Sequence, residues 1–402
     1  MQARGMLLIA APGQGAQTPG FLSPWLELPG FTARLESWSE LAGCDLIRSG
    51  TTADADEIRD TAVAQPLLVA AAMAAALDQV ITGAYPVSRA SVAVAGHSVG
   101  ELAAGVLAGV ITPEDAMRLV RVRAQGMAAA AAVEETGMTA VLGGDEDAVL
   151  AAIETCGLTP ANVNGAGQIV AAGTMAQLAV FAANPPAGCR LRPLSVAGAF
   201  HTHHMAPAAA ALAAAAATVQ AADPVRPLLS NRDGSVVKSG PDWLDRIINQ
   251  VSAPVRWDMC MQTMATLGVT ALIELPPAGT LTGLAKRALR GIELVSLKTP
   301  DDLTAARALV AQHADSHADS HAPEWRLLVA PLAGTFRAPN GHPLAAGPGT
   351  VVGLGTDLGH VEMRGGSHVV SASFPATVIE WLVEDGDPVS AGQPLVRLQP
   401  AD

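Results

Sequence analysis

The stretch Gly96-His97-Ser98-Val99-Gly100 lies between an apolar run, residues 92–95, and the helix formers Leu102-Ala103-Ala104. Strand, sharp bend and helix follow one another there, and the glycines allow a bend tight enough to expose a serine hydroxyl at its apex. The first 125 residues repeat this alternation, with short apolar runs at 7–10 and 92–95 separated by an alanine-rich helical stretch at 65–80. Such alternation predicts an α/β layer around a largely parallel sheet. It resumes near Gly198 with a helix around 206–219, a strand at 269–275 and a helix at 301–312.

Between these halves the pattern changes. Residues 138–142 read as a strand, 145–155 as a helix opened by an acidic turn, 161–164 and 168–172 as strands, 174–183 as a helix and 189–194 as a strand. The order βαββαβ is the ferredoxin-like pattern. The expected organisation is therefore an α/β-hydrolase-like core, residues 1–130 and 198–312, with a small subdomain, 131–197, inserted in it.

Beyond the core, an Ala-Asp-Ser-His repeat spaces His313, His317 and His321 by four residues. On a helix this would align three imidazoles for a metal, but small polar residues running to Pro323 favour a solvated linker over 313–325. Residues 326–402 contain an internal repeat. Gly349, Val352, Gly355, Leu358 and Val361 recur 37 positions later as Gly386, Val389, Gly392, Leu395 and Leu398. Ala330, Gly334, Thr335 and Phe336 recur 42 positions later as Ala372, Ala376, Thr377 and Val378. Duplicated short strands with glycine turns predict a small all-β sandwich or barrel.

Composition narrows the partners. Half of the 402 residues are hydrophobic, so a large core can form, and 24 Lys and Arg against 37 Asp and Glu give a net charge of -13. That balance argues against nucleic acid and against an anionic membrane, both of which require a basic surface. The longest apolar run, residues 66–77, falls short of the roughly 20 residues that span a bilayer. The N-terminal apolar stretch is too short for a secretory signal, and a cytoplasmic location is expected. Cys44, Cys156, Cys189 and Cys260 show no ligand spacing, and neither a metal nor a cofactor is indicated.

A serine at such a bend has a helix N-terminus and the next residue's N–H close to where an oxyanion would develop. The pentapeptide alone also fits a plain glycine turn; the flanking strand and helix favour a nucleophile. Serine needs a base. Of ten histidines, His201 is the candidate, because it follows Gly198-Ala199-Phe200 where the chain re-enters the main sheet. Its neighbours His203 and His204 lack a nearby carboxylate and make a poor metal set.

Pro12-Gly-Gln-Gly-Ala-Gln17, Gln65-Pro66, Gly96-His-Ser-Val-Gly-Glu101, Arg123, Asn162-Val-Asn164 and Gly198-Ala-Phe-His201 occur together, in this order. Pro254-Val-Arg-Trp257 and Leu281-Thr-Gly-Leu-Ala-Lys-Arg287 follow. In order and spacing the set resembles the malonyl-CoA:acyl-carrier-protein transacylases over residues 6 to 312. The resemblance implies a ping-pong transfer of malonyl from malonyl-CoA to the phosphopantetheine thiol of an acyl carrier protein, in fatty-acid or polyketide synthesis. It implies Ser98 as nucleophile, His201 as base, the backbone N–H groups of Gln14 and Val99 on the oxyanion, and Gln65 at the substrate. Arg123 would pair its planar guanidinium with the malonyl carboxylate, a bidentate match that lysine does not reproduce. A main-chain carbonyl from residues 250–254 would orient His201. Ala253 stands where the family commonly has Asn, and Glu274-Leu-Pro-Pro-Ala-Gly279 replaces the usual Gly-Pro-Gly turn. Phe200 and Val99 match the pattern associated with malonyl rather than methylmalonyl.

For carrier docking, Lys286-Arg287 with Arg290 and, separately, Arg118 with Arg121 are the candidate basic patches. The tail resembles biotinyl/lipoyl domains through its repeated Gly-x-x-Val-x-x-Gly pattern. Gly365 stands where their modified lysine aligns, and the last lysine of the chain is Lys298, so no biotinyl or lipoyl amide can form there. The tail is expected to dock an unidentified protein or to stabilise the chain. Two competing readings are a serine esterase or thioesterase of α/β-hydrolase type and a non-catalytic scaffold docking a carboxylase through its tail. The first has no use for an arginine aimed at a substrate carboxylate.

Overall fold

The computed structural model describes residues 5–80, 91–196, 198–313, 326–338, 347, 349–363, 365–372 and 374–400, with Asp78 and Gln79 as backbone only. The chain forms two compact units, residues 1–315 and 316–402. His317, His321 and the rest of the expected linker beyond His313 lie outside the described residues. His313 itself closes the helix Leu303–His313, its ring bonded to the Leu309 carbonyl and the Thr270 hydroxyl.

The described residues of the first unit include nine strands: β1 (Met6–Ala11), β2 (Val92–Gly96), β3 (Thr136–Gly143), β4 (Thr159–Gly165), β5 (Gln168–Thr174), β6 (Cys189–Pro193), β7 (Val255–Arg256), β8 (Val269–Glu274) and β9 (Glu293–Ser296). One sheet runs β2-β1-β8-β9 and is parallel throughout. Successive strand residues face opposite sides, so a strand apolar at every position must be covered on both. β1 shows this directly. Leu7, Ile9 and Ala11 enter one core with the helices Thr61–Ala75 and Pro113–Ala131, while Leu8 and Ala10 enter another with Trp257–Thr266 and Thr280–Ala288. Each fully buried Leu or Ile contributes about 1.5–3 kcal/mol.

The helix Thr61–Ala75 starts where Asp60 accepts the Ala62 N–H at 2.8 Å, and 13 of its 15 residues are buried, so it runs through the core and carries Gln65 inside with it. The helix Pro113–Ala131 is opened by Thr112, which caps the Asp115 N–H, by Pro113 and by two acidic residues in the first turn. Both helices thus begin at sequence-encoded caps and deliver one polar side chain each, Gln65 and Arg123, to the same buried place.

From Thr136 to Pro193 the chain runs strand, helix, strand, strand, helix, strand. The second sheet has the order β6-β3-β5-β4-β7. Its first three pairings are antiparallel, and β7 joins parallel to β4 through Asn162↔Val255 and Val163↔Arg256. A two-residue strand such as β7 has no period to read in a sequence. It draws residues 250–256 alongside the Asn162-Val-Asn164 strand.

The second unit is β-rich. Its strands are β10 (Arg326–Val329), β11 (Gly334–Arg337), β12 (Val351–Val352), β13 (Asp357–Met363), β14 (Gly366–Ser371), β15 (Ala376–Trp381), β16 (Pro388–Val389) and β17 (Pro394–Pro400). They form two sheets, β10-β17-β15-β12 and β14-β13-β11-β16. Replacing each strand by its repeat mate, four strands away in the chain, converts one order into the other. The 37-residue repeat carries β12 onto β16 and β13 onto β17, residue for residue, and Gly349 and Gly386 take φ values of 87° and 94° at matching turns. Each sheet therefore draws two strands from either half, so neither half has a closed sheet of its own.

Candidate active site

At the end of β2 the backbone turns through Ser98, at φ 53°, into the helix Gly100–Leu107. Two close approaches require glycine here. A Cβ on Gly96 would fall on the Gly100 carbonyl carbon, and one on Gly100 would strike the Ala11 carbonyl oxygen. The apex serine faces His201, with Ser98 Oγ 2.7 Å from His201 Nε2. His201, at φ 60°, lies on the turn before the helix Ala206–Ala216, held by Thr202 Oγ1 donating to the Ala199 carbonyl and by the Ala199 N–H donating to Thr136. Its Nδ1 lies 2.8 Å from the Gln250 carbonyl oxygen. A carbonyl only accepts, so Nδ1 carries the proton and Nε2 is left as the acceptor facing Ser98. Burial, reinforced by the Arg123 charge, pushes this imidazole down to about 3.

Arg123 is buried from the middle of its helix. Nη1 donates to Gln65 Oε1 at 2.6 Å, and Nη2 to Gln250 Oε1 at 2.9 Å and to Ser98 Oγ at 3.3 Å. All three partners are neutral. Burial draws the guanidinium down to about 10, and Glu101 opposes that shift. Glu101, on the helix behind the serine, accepts the Asn231 N–H and a Gln250 amide hydrogen; burial nonetheless raises it to about 8.

Ser98 opens into a cavity of about 90 Å³ lined by Gln14, Gln65, Val99, Met127, Phe200 and His201, among others. Gln14, His97, Asn162, Leu194 and Val196 are shared with a larger cavity of about 570 Å³. This larger space runs past Gly13, Gln17 and Arg59 to Thr280, Leu281 and Leu284. Among the described residues, neither the Gln14 nor the Val99 backbone N–H donates to a protein acceptor. The Gln14 side chain turns away toward Thr61 and the Arg59 carbonyl.

The structure thus gathers Ser98, His201, Gln65, Val99, Phe200 and Gln14 around one cavity, and Arg123, which does not line it, is bonded to Ser98 and Gln65 of that lining. Ala253 does not line the cavity either; the backbone carbonyl bonded to the His201 ring is that of Gln250. Arg118 is exposed and paired with Asp115 at 3.0 Å, and Lys286 and Arg287 are exposed on the helix that lends Leu281 and Leu284 to the larger cavity. Contrary to the sequence expectation, His204 does have a carboxylate beside it, Glu134 at 3.1 Å, which the fold brings from 70 residues earlier; among the described residues no group of three or more His, Cys, Asp or Glu could hold a metal. No described helix is long and apolar enough to cross a membrane.

Of Asn231, Glu101 and the Gln250 side chain, which tie these groups together, Asn231 and the Gln250 side chain carry no separate sequence signal. The three come from distant stretches of chain, and only Glu101 belongs to a recognisable motif. His97, bonded through Nε2 to Asn164 Oδ1 at 2.9 Å and set edge-on to Trp257, is a further lining residue, one that the sequence places in the serine motif without giving it a role.

The acyl transferase domain family matches residues 12–319 of this chain. The malonyl CoA-acyl carrier protein transacylase of Mycobacterium tuberculosis is 53% identical over 298 residues, which are 74% of this chain and 98% of the relative. The crystal structure of MCAT from Mycobacterium tuberculosis superposes with a TM-score of 0.71 at 52% identity, covering 75% of this chain and 99% of that one. A type II PKS acyl-carrier protein in complex with its malonyl-transacylase, PlMCAT:AntF, matches with a TM-score of 0.69 at 29% identity over 76% and 99% of the two chains.

Proposed function

The chain belongs to the malonyl CoA-acyl carrier protein transacylases, a family within the acyl transferase domains, and we propose that it moves a malonyl group from malonyl-CoA to the phosphopantetheine thiol of an acyl carrier protein through an ester on Ser98. Ser98 Oγ attacks the thioester carbonyl carbon while His201 Nε2 takes its proton. The oxyanion of the tetrahedral intermediate lies against the Val99 and Gln14 N–H groups, and its collapse breaks the C–S bond. His201 returns the proton to the departing CoA sulfur. The carrier thiol then gives its proton to the same nitrogen, attacks the ester and releases Ser98 with its hydrogen restored.

One observation carries this reading: a buried guanidinium whose partners are neutral stands 3.3 Å from the nucleophile. A buried cation favours an anionic ligand strongly, and a forked one favours a carboxylate. An ester hydrolase gains nothing from that arrangement. The Gln250 carbonyl takes the place a triad carboxylate has elsewhere and holds the imidazole tautomer without adding charge.

The architecture supporting this chemistry is an α/β-hydrolase-like core of residues 1–130 and 198–312, a ferredoxin-like subdomain at 131–197 and a biotinyl/lipoyl-like domain at 326–402 without the modifiable lysine. The carrier docks at Lys286, Arg287 and Arg290, beside the mouth from which its phosphopantetheine enters. Intact-protein mass spectrometry after mixing with malonyl-CoA tests the reading. The wild-type chain gains one malonyl, Ser98→Ala gains none, and addition of holo carrier discharges the ester.

A further inference from the structure

Asn231 has no exposed surface and every polar atom engaged. It lies between Leu228, which extends the parallel sheet by pairing with Val94, and the helix Gly240–Gln250. Its Oδ1 accepts the Ser98 backbone N–H at 2.7 Å and a Gln250 amide hydrogen at 3.3 Å, while its Nδ2 donates to the Gly96 carbonyl at 2.8 Å. Its own backbone is held on both sides, the N–H by Glu101 Oε1 at 2.8 Å and the carbonyl by the Arg256 N–H at 2.7 Å.

One amide therefore bridges the chain before and after His97, across the bend where Ser98 is left-handed. Two consequences follow from donors and acceptors alone. The peptide planes flanking His97 cannot rotate without breaking one of the two bonds, which fixes the direction of the serine side chain. The Ser98 N–H is also consumed, so the N–H that the bend presents to the cavity is that of Val99.

We propose that Asn231 is a positioning residue for acyl transfer: its carboxamide locks the Ser98 bend so that Oγ points at His201 and the Val99 N–H points at the developing oxyanion. The proposal rests on the reading of Ser98 as the acyl carrier. It leaves carboxylate recognition to Arg123 and Gln65; Asn231 bonds neither directly and reaches Arg123 only through the Gln250 amide.

Asn231→Asp keeps the size and the Oδ1 acceptor but sets an oxygen against the Gly96 carbonyl. Asn231→Ala removes both bonds. In rapid-quench acylation of the full chain by malonyl-CoA, read by intact mass, Asn231→Asp slows roughly a hundredfold, the scale expected for a misplaced nucleophile. Its KM for malonyl-CoA and its malonyl-over-acetyl preference stay within about twofold of wild type on that same argument, a split that general loosening of the site does not produce. If Asn231→Ala does not fold, Asn231→Asp, checked by circular dichroism to be folded at the assay temperature, decides alone. Acylation by Asn231→Asp at the wild-type rate overturns the proposal, and so does a loss that falls equally on KM and on acyl preference. A wild-type chain that takes up no malonyl overturns the reading of Ser98, and the proposal with it.

Discussion

Ser98 and His201 meet at 2.7 Å, and both stand on left-handed backbone, at φ 53° and 60°. Such a conformation costs a non-glycine residue about 1–3 kcal/mol and persists only where surrounding structure over-determines it. Among the described residues Ala166, in the turn between β4 and β5, is the third non-glycine at positive φ. Strain therefore concentrates on the two groups that share a proton. What holds them is polar and buried: the Asn231 carboxamide for one, the Thr202 hydroxyl and the Gln250 carbonyl for the other.

The pH dependence of acylation follows from the burial of His201. An imidazole pushed down to about 3 stays neutral, and so able to accept a proton, well below the ordinary 6.5. The acylation rate is expected to stay level from about pH 8 to about pH 5 and to fall only as the medium approaches the depressed value. Stability moves in the same direction. Below 6.5 the unfolded chain protonates this histidine and the folded one does not, so this group costs stability increasingly as the pH falls from 6.5 toward 3. Rapid-quench acylation across this range checks the first point, where an inflection between pH 6 and 7 would show a solvated imidazole. Urea unfolding of wild type and His201→Gln checks the second.

Arg123→Lys keeps a cation but loses the fork that spans Gln65 and Gln250. Malonyl transfer should fall on the order of a hundredfold, since a bidentate charge-assisted pair is lost, while acetyl transfer changes little. Parallel kcat/KM measurements with malonyl-CoA and acetyl-CoA give the comparison. Equal losses on both would mean that the guanidinium serves the bend rather than the substrate.

How far the sequence foretold this site depends on the residue. Gly96, Ser98 and Gly100 were legible because a strand-to-helix bend is a local event, encoded within six residues. His201 was one histidine of ten until the resemblance singled it out; only the folded chain, through β7 and the turn at Thr202, brings it to Ser98 and sets the Gln250 carbonyl behind it. Asn231 was illegible, since an asparagine in a loop has many uses and its two bonds reach residues more than 130 positions away. The tail's strand exchange was half legible. Its repeat was written in glycine and valine spacing, but not the fact that each sheet takes strands from both copies.

Gly96→Ala tests the bend itself. The added methyl falls on the backbone carbonyl carbon of Gly100, which no side-chain rotation can relieve, so β2 and the helix Gly100–Leu107 must separate. The expected cost is about 3 kcal/mol, at the upper end for overpacking a well-filled site. It should appear as a lower urea midpoint together with loss of malonyl-enzyme formation. A variant with wild-type stability and activity would contradict the close approach.

Phe200 and Val99 border the small cavity at Ser98, both nearly without exposed surface. A methyl branch on the acyl chain has to find room against the ring, so malonyl-CoA should outcompete methylmalonyl-CoA by roughly 10- to 200-fold in kcat/KM, the range one buried methyl group commands. Phe200→Ser should narrow that ratio by admitting the branch. If the wild type prefers the branched substrate, the steric account is wrong.

The β13–β14 hairpin offers the last test. Gly365 lies at its tip, its N–H bonded to the Met363 carbonyl at 2.8 Å, and a Cβ there meets nothing within 4 Å. If the second unit has the proposed biotinyl/lipoyl-like fold, the missing element is the amine alone. Gly365→Lys in the full chain, incubated with a biotin or lipoate ligase, its cofactor and ATP, should gain one biotinyl or lipoyl group by intact mass. The wild-type chain should gain none on its tail, because no lysine follows Lys298. Failure of Gly365→Lys to accept either group, with the unit still folded by amide exchange, would leave the tail a two-sheet unit unrelated to those carriers.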